Sequence, residues 1–556
     1  MLARLAFIML FAVGLPAQSS QAVQAPAAPQ GYHIVGAVVN WVTGQPVAGA
    51  SVAIAPTAQG TDREISCSMV TGADGRFAFA GLSRGKYSLM ADTRGFMLQY
   101  FERHGMYATA IAVGPDLDSE HLVFRLQPDA SVEGVVSDEN NEPVQNGMVR
   151  LFQQSMEDGR QRTIPMEQGQ TNDQGRFHIG HLAPGTYYLA VSAHPWYAQN
   201  SRMTFRRRTN SPDADARAAQ ETAALDVTYP LTFYPDSPDS AGASPIVLHP
   251  GERVTADVVM RAVPSLHLKI RTNNAGSGPG MDSFPRVSQR IFGGYLDPVF
   301  NAPTSSVEAG VVEIAGLAPG HYVVEMPAAK PANEKEANRN GYREVDLAGD
   351  LEVNAYDSSG FAVVSGTVLF EGVPRIPKGA SMQLFNDETG ENFGSEISDK
   401  GQFEFDGVKL GRYTVVLRSG SGYFLRKMSA TGAKLTGRTL EIASSSNVGI
   451  AAIAGRGLAQ VEGVARRDGK PFSGAMIVLV PQDAANNSPL FRRDQSDSDG
   501  TFTLPNVVPG QYTVIAVANG WDLEYGNPAV LQPFLKGGEA VEITGDGKLQ
   551  VEVRVQ

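Results

Sequence analysis

One block of residues occurs five times in the chain with a fixed internal spacing. Its first glycine is followed ten residues later by a second glycine, and a tyrosine comes two residues after that. The five copies span residues 75–87, 175–187, 310–322, 401–413 and 500–512. Because the copies start 91 to 135 residues apart, each one marks a small domain and not a short solenoid repeat.

Alternation of apolar and polar residues inside the block predicts a half-buried strand. In the fifth copy, Phe502 and Leu504 flank the polar Thr503, and the other copies have apolar residues at the same two positions. The second glycine follows a proline in three copies, which predicts a type II turn with this glycine at its centre. The next strand then begins with the tyrosine, and we expect the repeated apolar residues to form a core.

A second pattern precedes the block in four of the copies. It begins with Gly-x-Val or Gly-x-Ala, continues with a polar turn and a proline, and ends with a further strand, as in Gly36 to Val52. The third copy lacks this pattern and has residues 266–270 in its place. About seven short strands per copy predict a sandwich of two sheets.

Together these patterns resemble the carboxypeptidase regulatory-like domain. The resemblance covers nearly all of residues 31–556 and is weakest in the third copy. It implies a transthyretin-like β-sandwich related to carbohydrate-binding-like and Cna B-type sandwiches. It also implies a non-catalytic module, since in metallocarboxypeptidases this domain is not the catalytic part, and arrays of it in exported bacterial proteins often serve as binding or spacer modules.

The predicted fold class is therefore all-β, with five antiparallel β-sandwich domains in tandem after a cleaved signal peptide. Short linkers predict a semi-rigid rod. The second domain should carry a helical insertion over residues 194–245, with its helix at 214–225 as the only helix of the mature chain. The predicted boundaries are 1–22 for the signal peptide and 31–128, 129–262, 263–358, 359–454 and 455–556 for the sandwiches.

The first residues have the features of a secretory signal. Arg4 precedes an apolar run at 5–15, and a small-x-small site ends at Ala22. This run of about 11 residues is too short to span a bilayer, which takes about 20, so we expect an exported chain without a transmembrane segment. The single cysteine, Cys67, excludes disulfides within the chain, and the net charge of −12 argues against nucleic-acid binding.

Signals for catalysis are weak, and we predict no enzyme, no catalytic residues, no cofactor and no metal site. Residues 249–252 have the His-x-x-Glu spacing of a zinc carboxypeptidase, but Pro-Gly between them predicts a hairpin turn. Three carboxylates before Gly500 partly match a calcium loop, although a polar turn is the preferred interpretation. These carboxylates belong to Asp494, Asp497 and Asp499.

Aromatic and arginine residues in and near the insertion are the candidate ligand-binding residues. Such side chains stack on flat groups and donate paired hydrogen bonds, as recognition surfaces require. The alternative is that the insertion caps the sandwich and buries its aromatic residues. The candidates are Trp196, Tyr197, Arg206, Arg207, Phe233, Tyr234 and, in the fifth copy, Trp521.

A covalent cross-link in the third copy is a further hypothesis. Cna B-type sandwiches can join a lysine to an asparagine with the help of a glutamate. Lys269, Glu325 and Asn354 occur in the corresponding order. The alternative is that all three are solvated residues on the outer faces of strands.

We therefore predict an exported, non-catalytic protein, located in the periplasm, on the cell surface or outside the cell. Its partner would be a polysaccharide or another cell-envelope protein, and we expect a monomer. The alternatives are a structural spacer or scaffold without a soluble ligand and, less favoured, an accessory protein to a hydrolase.

Overall fold

A computed structural model describes most of the chain after its first thirty residues. The described residues are 31–57, 67–157, 159–198, 224–271, 285–299, 304–308, 310–326, 341–354, 361–373, 375–386, 389–420 and 422–556. Nearly all regular structure in these ranges is β-strand. The predicted signal peptide, residues 214–223 of the predicted helix, Arg206 and Arg207 lie outside them, whereas Ala224 at the end of that helix is described and is helical.

The strands form five two-sheet sandwiches, which we number 1 to 5 in chain order. Sandwich 1 contains β1 (Tyr32–Asn40), β2 (Ser51–Pro56), β3 (Cys67–Val70), β4 (Arg76–Leu82), β5 (Gly85–Asp92), β6 (Gln99–Tyr100), β7 (Ile111–Val113) and β8 (Leu122–Leu126). Sandwich 2 contains β9 (Ala130–Ser137), β10 (Met148–Glu157), β11 (Arg160–Gln170), β12 (Arg176–Leu182), β13 (Gly185–Ser192), β14 (Val227–Thr228), β15 (Thr232–Phe233), β16 (Ile246–Leu248), β17 (Arg253–Thr255), β18 (Val258–Val259) and β19 (Val263–Pro264).

The remaining three sandwiches follow the same plan. Sandwich 3 contains β20 (Leu266–Arg271), β21 (Arg286–Ile291), β22 (Tyr295–Pro298), β23 (Thr304–Glu308), β24 (Val311–Leu317), β25 (Gly320–Met326), β26 (Gly341–Leu347) and β27 (Leu351–Asn354). Sandwich 4 contains β28 (Phe361–Phe370), β29 (Ser381–Phe385), β30 (Asn392–Glu396), β31 (Gln402–Lys409), β32 (Gly411–Arg418), β33 (Phe424–Thr431), β34 (Lys434–Thr436), β35 (Thr439–Ile442) and β36 (Val448–Gly455). Sandwich 5 contains β37 (Ala459–Arg467), β38 (Lys470–Pro471), β39 (Met476–Pro481), β40 (Arg492–Gln495), β41 (Thr501–Val507), β42 (Gly510–Val517), helix α1 (Pro528–Leu535), β43 (Glu539–Ile543) and β44 (Gly547–Arg554).

Each sandwich repeats one topology, which confirms the all-β class. In the first sheet, the opening strand lies between the first strand of the repeated block and a late strand, as in the order β4-β1-β8. The second sheet pairs the block's second strand with the strand after the polar turn, as in β5 with β2. Most pairs are antiparallel, but the opening and late strands pair in parallel in all five sandwiches. Each sandwich encloses its own apolar core.

Close packing explains the glycine of the opening strand. A Cβ built on Gly463 would lie 2.3 Å from the carbonyl oxygen of Val551 and 2.5 Å from the ring of Phe502. In sandwich 3 the corresponding pair is Ile270 opposite Val312. A larger opening-strand residue thus accompanies a smaller block residue, and this is why the third copy lacks the glycine pattern yet keeps the fold.

A β-bulge, not a type II turn, determines the backbone of the repeated block. The positive φ angles fall on the sixth residue after the first glycine, at Gly81, His181, Gly316, Gly407 and Asn506, with values of 56° to 73°. One extra residue is inserted there opposite the opening strand. A type II turn would give the second glycine a φ of about +80°. The prediction of this turn is wrong in the three copies with proline, because Gly185 has a φ of 158° and Gly320 and Gly510 have no positive φ.

The repeated tyrosine stabilises the connection between the two strands of the block. In four copies its hydroxyl donates a hydrogen bond to the carbonyl oxygen four residues earlier, as from Tyr512 to Val508 at 2.7 Å. Its ring is buried in the core in all five. The tyrosine therefore satisfies a turn carbonyl and fills the core with one side chain.

Helix α1 contradicts the expectation that the helix at 214–225 would be the only helix of the mature chain. Asn527 caps it by accepting a hydrogen bond from the N–H of Ala529 at 3.1 Å, and Pro528 occupies its first turn. Its eight residues, with Pro533 inside, are too few to show a clear helical period in the sequence. Among the described helices, none has the length and apolar character needed to cross a bilayer.

The sandwiches are not arranged as a rod. Sandwich 5 contacts sandwich 1 through the ion pair of Lys86 with Asp497, and sandwich 2 through the hydrogen bond from Gly526 to Gly159. Sandwich 4 reaches sandwich 5 through the N–H of Arg438, which donates to the carbonyl of Asn486. The expected semi-rigid rod is therefore wrong, since the chain returns on itself and its last sandwich packs against its first.

Candidate functional site

Two aromatic residues at one end of sandwich 2 form an exposed pair. Trp196 and Tyr197 follow β13, and their rings meet edge to face with centroids 5.7 Å apart. Trp196 is 83% exposed, whereas Tyr197 is half-buried. The preceding Pro195 is buried, and its carbonyl accepts a hydrogen bond from Ala198 at 3.0 Å, so a tight turn holds the pair. We call Trp196 and Tyr197 the aromatic edge.

Carboxylates lie close to the aromatic edge. Burial raises the pKa of Tyr197, and the negative charges of Glu139, Asp138 and Glu142 raise it further. These residues belong to the turn between β9 and β10, where one carboxylate oxygen of Asp138 accepts hydrogen bonds from the N–H groups of Asn140 and Glu142. The site therefore combines an exposed aromatic face with hydrogen-bond acceptors of negative charge.

Two other candidate aromatic residues differ in their burial. Phe233 is 1% exposed and packs against Phe292 of sandwich 3, with ring centroids 5.4 Å apart. Tyr234 is partly buried against the core of sandwich 2. Phe233 fills the interface between sandwiches 2 and 3, which corrects its assignment to a ligand, whereas the ligand-binding role of Tyr234 stays a prediction.

A buried ion pair supports the same interface. The guanidinium of Arg150 in sandwich 2 binds both carboxylate oxygens of Asp297 in sandwich 3, one of them at 2.6 Å. Asp297 is 2% exposed, and its pKa is raised by burial despite the neighbouring guanidinium. Such a pair fixes one domain against another, because removing either partner would leave a buried charge.

Polar contacts join sandwich 5 to sandwich 1 at what we call the closing interface, formed by residues 86, 102–112, 493–501 and 521. The ammonium of Lys86 lies 2.5 Å from the carboxylate of Asp497 and 4.0 Å from that of Asp499. The other oxygen of Asp497 accepts a hydrogen bond from the N–H of Ala110 at 2.9 Å. Two of the three acidic residues that partly match a calcium loop, Asp497 and Asp499, therefore bind an amine from another domain.

Trp521 lies in the closing interface and is not free to stack on a ligand. Its ring stacks on that of His104 at 4.5 Å with an angle of 5° between the planes. The guanidinium of Arg493 lies over the Trp521 ring at 5.6 Å, and the side chain of Gln495 hydrogen-bonds His104 at 3.1 Å. The aromatic loops of copies one and five thus bind one another, which corrects the assignment of Trp521 to a ligand.

The three residues of the proposed cross-link are not brought together. Lys269 lies between the buried Leu268 and Ile270, so it points away from the core of its sheet. Glu325 belongs to the opposite sheet and is exposed, as is Asn354. A condensation needs these groups in contact inside the sandwich, and this arrangement does not provide it.

Residues 249–252 form a tight turn, as predicted, but not within a hairpin. The N–H of His249 donates to the Glu252 carboxylate at 2.8 Å, and Gly251 has a φ of 76°. The flanking strands β16 and β17 belong to different sheets, so the turn crosses from one sheet to the other. Within the described ranges, no group of three histidine, cysteine or acidic residues is placed to hold a metal ion.

Comparison with known proteins finds a family match for the first two domains. The family of the carboxypeptidase regulatory-like domain matches residues 33–123 and 131–219. Each match falls on one domain, so sandwiches 1 and 2 are similar to carboxypeptidase regulatory-like domains. These domains carry the aromatic edge and one side of the closing interface. No curated protein matches the chain.

Solved structures with similar folds are remote from the chain. The Bacillus anthracis TIE protein is 10% identical, with 96% of this chain and 76% of that one covered and a TM-score of 0.16. The minor pilin GBS52 of Streptococcus agalactiae is 11% identical, covering 42% and 97%, with a TM-score of 0.21. BcpA, the major pilin subunit of Bacillus cereus, is 9% identical, covering 76% and 99%, with a TM-score of 0.14. At these values the likeness adds nothing on function.

Proposed function

We propose that this chain is an exported, non-catalytic, monomeric protein that binds a polysaccharide through the aromatic edge of its second carboxypeptidase regulatory-like domain. The supporting observation is the 83% exposure of Trp196 beside Tyr197 and three carboxylates. An exposed indole ring offers a flat apolar face to a sugar ring, and the carboxylates accept hydrogen bonds from hydroxyl groups. The same proposal includes the predicted domain boundaries and a signal peptide at residues 1–22.

Rigid support of the aromatic edge favours a binding role. Sandwich 2 is held on sandwich 3 by the Arg150–Asp297 pair and on sandwich 5 by the Gly526–Gly159 hydrogen bond. A site on a fixed scaffold loses less conformational freedom when it binds, and more of its contact energy is retained as affinity.

The test is affinity electrophoresis of the mature chain in gels that contain soluble neutral or acidic polysaccharides. We expect one of them to retard the wild-type chain and Trp196→Ala to lose at least tenfold in affinity. Trp41→Ala is the matched control, since Trp41 is also exposed, at 50%, but lies on sandwich 1. Equal retardation of both variants would refute the assignment to the aromatic edge.

A scaffold without a soluble ligand is the second candidate. The observation in its favour is that Phe233 and Trp521, both predicted to bind ligands, are used in contacts between domains. If no polysaccharide retards the wild-type chain while the closed arrangement persists in solution, the scaffold function is supported over the binding function.

A further inference from the structure

A cleft between sandwiches 4 and 5 carries a local excess of positive charge. It encloses about 760 Å³, within the roughly 300–1,000 Å³ of typical ligand sites. Four cationic side chains line it, and Asp546 is the carboxylate among its lining residues. This cationic cleft, defined by Arg426, Lys427, Arg438 and Arg456, contrasts with the net charge of −12 of the whole chain.

Arg438 is buried at the cleft, and no described carboxylate serves as its counter-ion. Its residue is 9% exposed, and its guanidinium donates one hydrogen bond to the carbonyl of Leu425 at 2.7 Å. Within the described part of the chain, no carboxylate forms an ion pair with it, and burial lowers its pKa to about 10. A guanidinium has five N–H donors, and burying its charge unpaired is costly, so a bound anion would offset that cost.

The backbone holds Arg438 firmly in this position. Its N–H donates to the carbonyl of Asn486 in sandwich 5, and its carbonyl accepts from Val415 in sandwich 4, both at 2.8 Å. The guanidinium of Arg492 lies nearby and adds a second positive charge. Arg492 instead directs its N–H groups to backbone carbonyls, among them that of Asn506 at 2.7 Å. Arg492 does not line the cleft, but its charge adds to that of Arg438, and no described carboxylate forms an ion pair with either arginine.

A β-bulge brings two adjacent cations to the cleft. The register of β33 against β36 shifts between Leu425 and Lys427. The bulge inserts Arg426 as an extra residue of β33, and both Arg426 and Lys427 belong to the residues that line the cavity. Arg426 is paired with Glu371 at 2.9 Å, whereas Lys427 has no ion pair with any described residue. Lys427 is thus available to a ligand.

Arg456 lies beside Arg426 at the rim of the cleft, since the Arg426 guanidinium donates a hydrogen bond to the Arg456 carbonyl at 3.4 Å. Its guanidinium lies 4.4 Å from the centre of the Tyr423 ring, which fixes the position of the charge while leaving its donors exposed. Because Arg456 covers the ring and Tyr423 is 5% exposed, the ring is not open for a nucleic-acid base to stack on it. Polar groups of Asn487, Thr544 and Asp546 also line the cavity, and these suit hydroxyl groups.

We propose that the cationic cleft binds an acidic oligosaccharide, with Arg438 receiving a carboxylate or sulfate group at the floor and Lys427 and Arg456 receiving charge at the rim. Guanidinium groups bind such planar or tetrahedral anions through paired hydrogen bonds. This site is separate from the aromatic edge and does not depend on the polysaccharide function proposed for it.

The test measures binding of the full mature chain to an oligogalacturonate, a heparin oligosaccharide, a neutral dextran oligosaccharide, a poly-glutamate peptide and inorganic sulfate by calorimetry at low salt. We expect at least one acidic oligosaccharide to bind and the dextran oligosaccharide not to bind at this site. The affinity should fall at least tenfold in Arg438→Gln and also in the double variant Lys427→Gln/Arg456→Gln. The double variant replaces exposed side chains, so it keeps the test valid if Arg438→Gln does not fold.

Two control variants distinguish binding in the cleft from binding elsewhere on the protein. Lys434→Gln removes an exposed cation of sandwich 4 outside the cleft and should bind like the wild-type chain. Trp196→Ala should also retain binding, which distinguishes this site from the aromatic edge. The proposal is overturned if neither acidic oligosaccharide binds, if Lys434→Gln loses as much affinity as the double variant, or if only poly-glutamate or sulfate binds.

Discussion

Asp497→Ala should open the closing interface. The variant removes the carboxylate that binds both the Lys86 ammonium at 2.5 Å and the Ala110 N–H at 2.9 Å. The side chains of Lys86 and Asp497 are 31% and 17% exposed, so the lysine would keep a mostly buried charge without this partner. Truncating one member of such a pair costs about 2–5 kcal/mol, and the residual exposure of Lys86 favours the lower part of that range.

A loss of about 2–3 kcal/mol weakens docking of sandwich 5 on sandwich 1 by about 30- to 140-fold. Hydrogen exchange measures this change at two amides that hydrogen-bond across the interface. The N–H of Ala112 donates to the Ser498 hydroxyl at 2.8 Å, and the N–H of Ser498 donates to the Ala110 carbonyl at 3.0 Å. Both amides should exchange faster by this factor in the variant, because docking protects them.

Asp118→Ala is the matched control for this experiment. Asp118 is an exposed carboxylate of sandwich 1 that pairs with His121 and not with sandwich 5. Its loss should leave exchange at Ala112 and Ser498 within about twofold, as is usual for a surface substitution. Unchanged protection in Asp497→Ala would refute the conclusion that this ion pair holds the two domains together.

Three further predictions concern other sites. Burial raises the pKa of Asp494 from 3.8 to about 6, because it disfavours the charged carboxylate. The folded protein is therefore more stable with this carboxyl group protonated, and that stability is present below about pH 4 and is lost as the pH rises through 6. Asp494→Asn should remove this pH-dependent loss of about 3 kcal/mol in the free energy of unfolding. The measurement is a urea titration of sandwich 5 followed by the fluorescence of Trp521, in a chain whose other tryptophans are replaced by phenylalanine. Arg150→Ala should cost about 3–5 kcal/mol by leaving the Asp297 carboxylate buried alone, which calorimetry would show as a lower transition temperature for sandwiches 2 and 3 but not for sandwich 1. Gly463→Ala should cost about 1–3 kcal/mol by overpacking against Phe502, and adding Phe502→Val should recover part of the loss in the same urea titration.

Local patterns predict the strands of each sandwich well. The alternating residues of the repeated block form β4 and its counterparts because one face of these strands is buried, and burial imposes a period of two on the sequence. The positive φ of the bulge is not predictable from the block because three different residue types occupy it: Gly81, His181 and Asn506 represent them. Because several residue types tolerate this conformation, no single residue type at this position indicates it in the sequence.

Contacts between domains could not be predicted, for a physical reason. They use side chains on outer faces and loops, such as His104, Gln495 and Arg493. No periodic pattern in the sequence indicates which residues these side chains contact. Aromatic residues beside arginine suit both a ligand site and a domain interface, so composition alone does not distinguish Trp521 from Trp196. The exposed fraction of each ring, which only the folded arrangement determines, separates the two.

The contact between the first and last sandwiches also governs how the molecule responds to tension. A force that pulls sandwich 1 away from sandwich 5 acts first on the Lys86–Asp497 pair and on the stacked rings of His104 and Trp521. The connecting segments between the middle domains carry that load only after these contacts have separated. The closing interface is therefore the contact that separates first under tension, and the two end domains stay close together until it has separated.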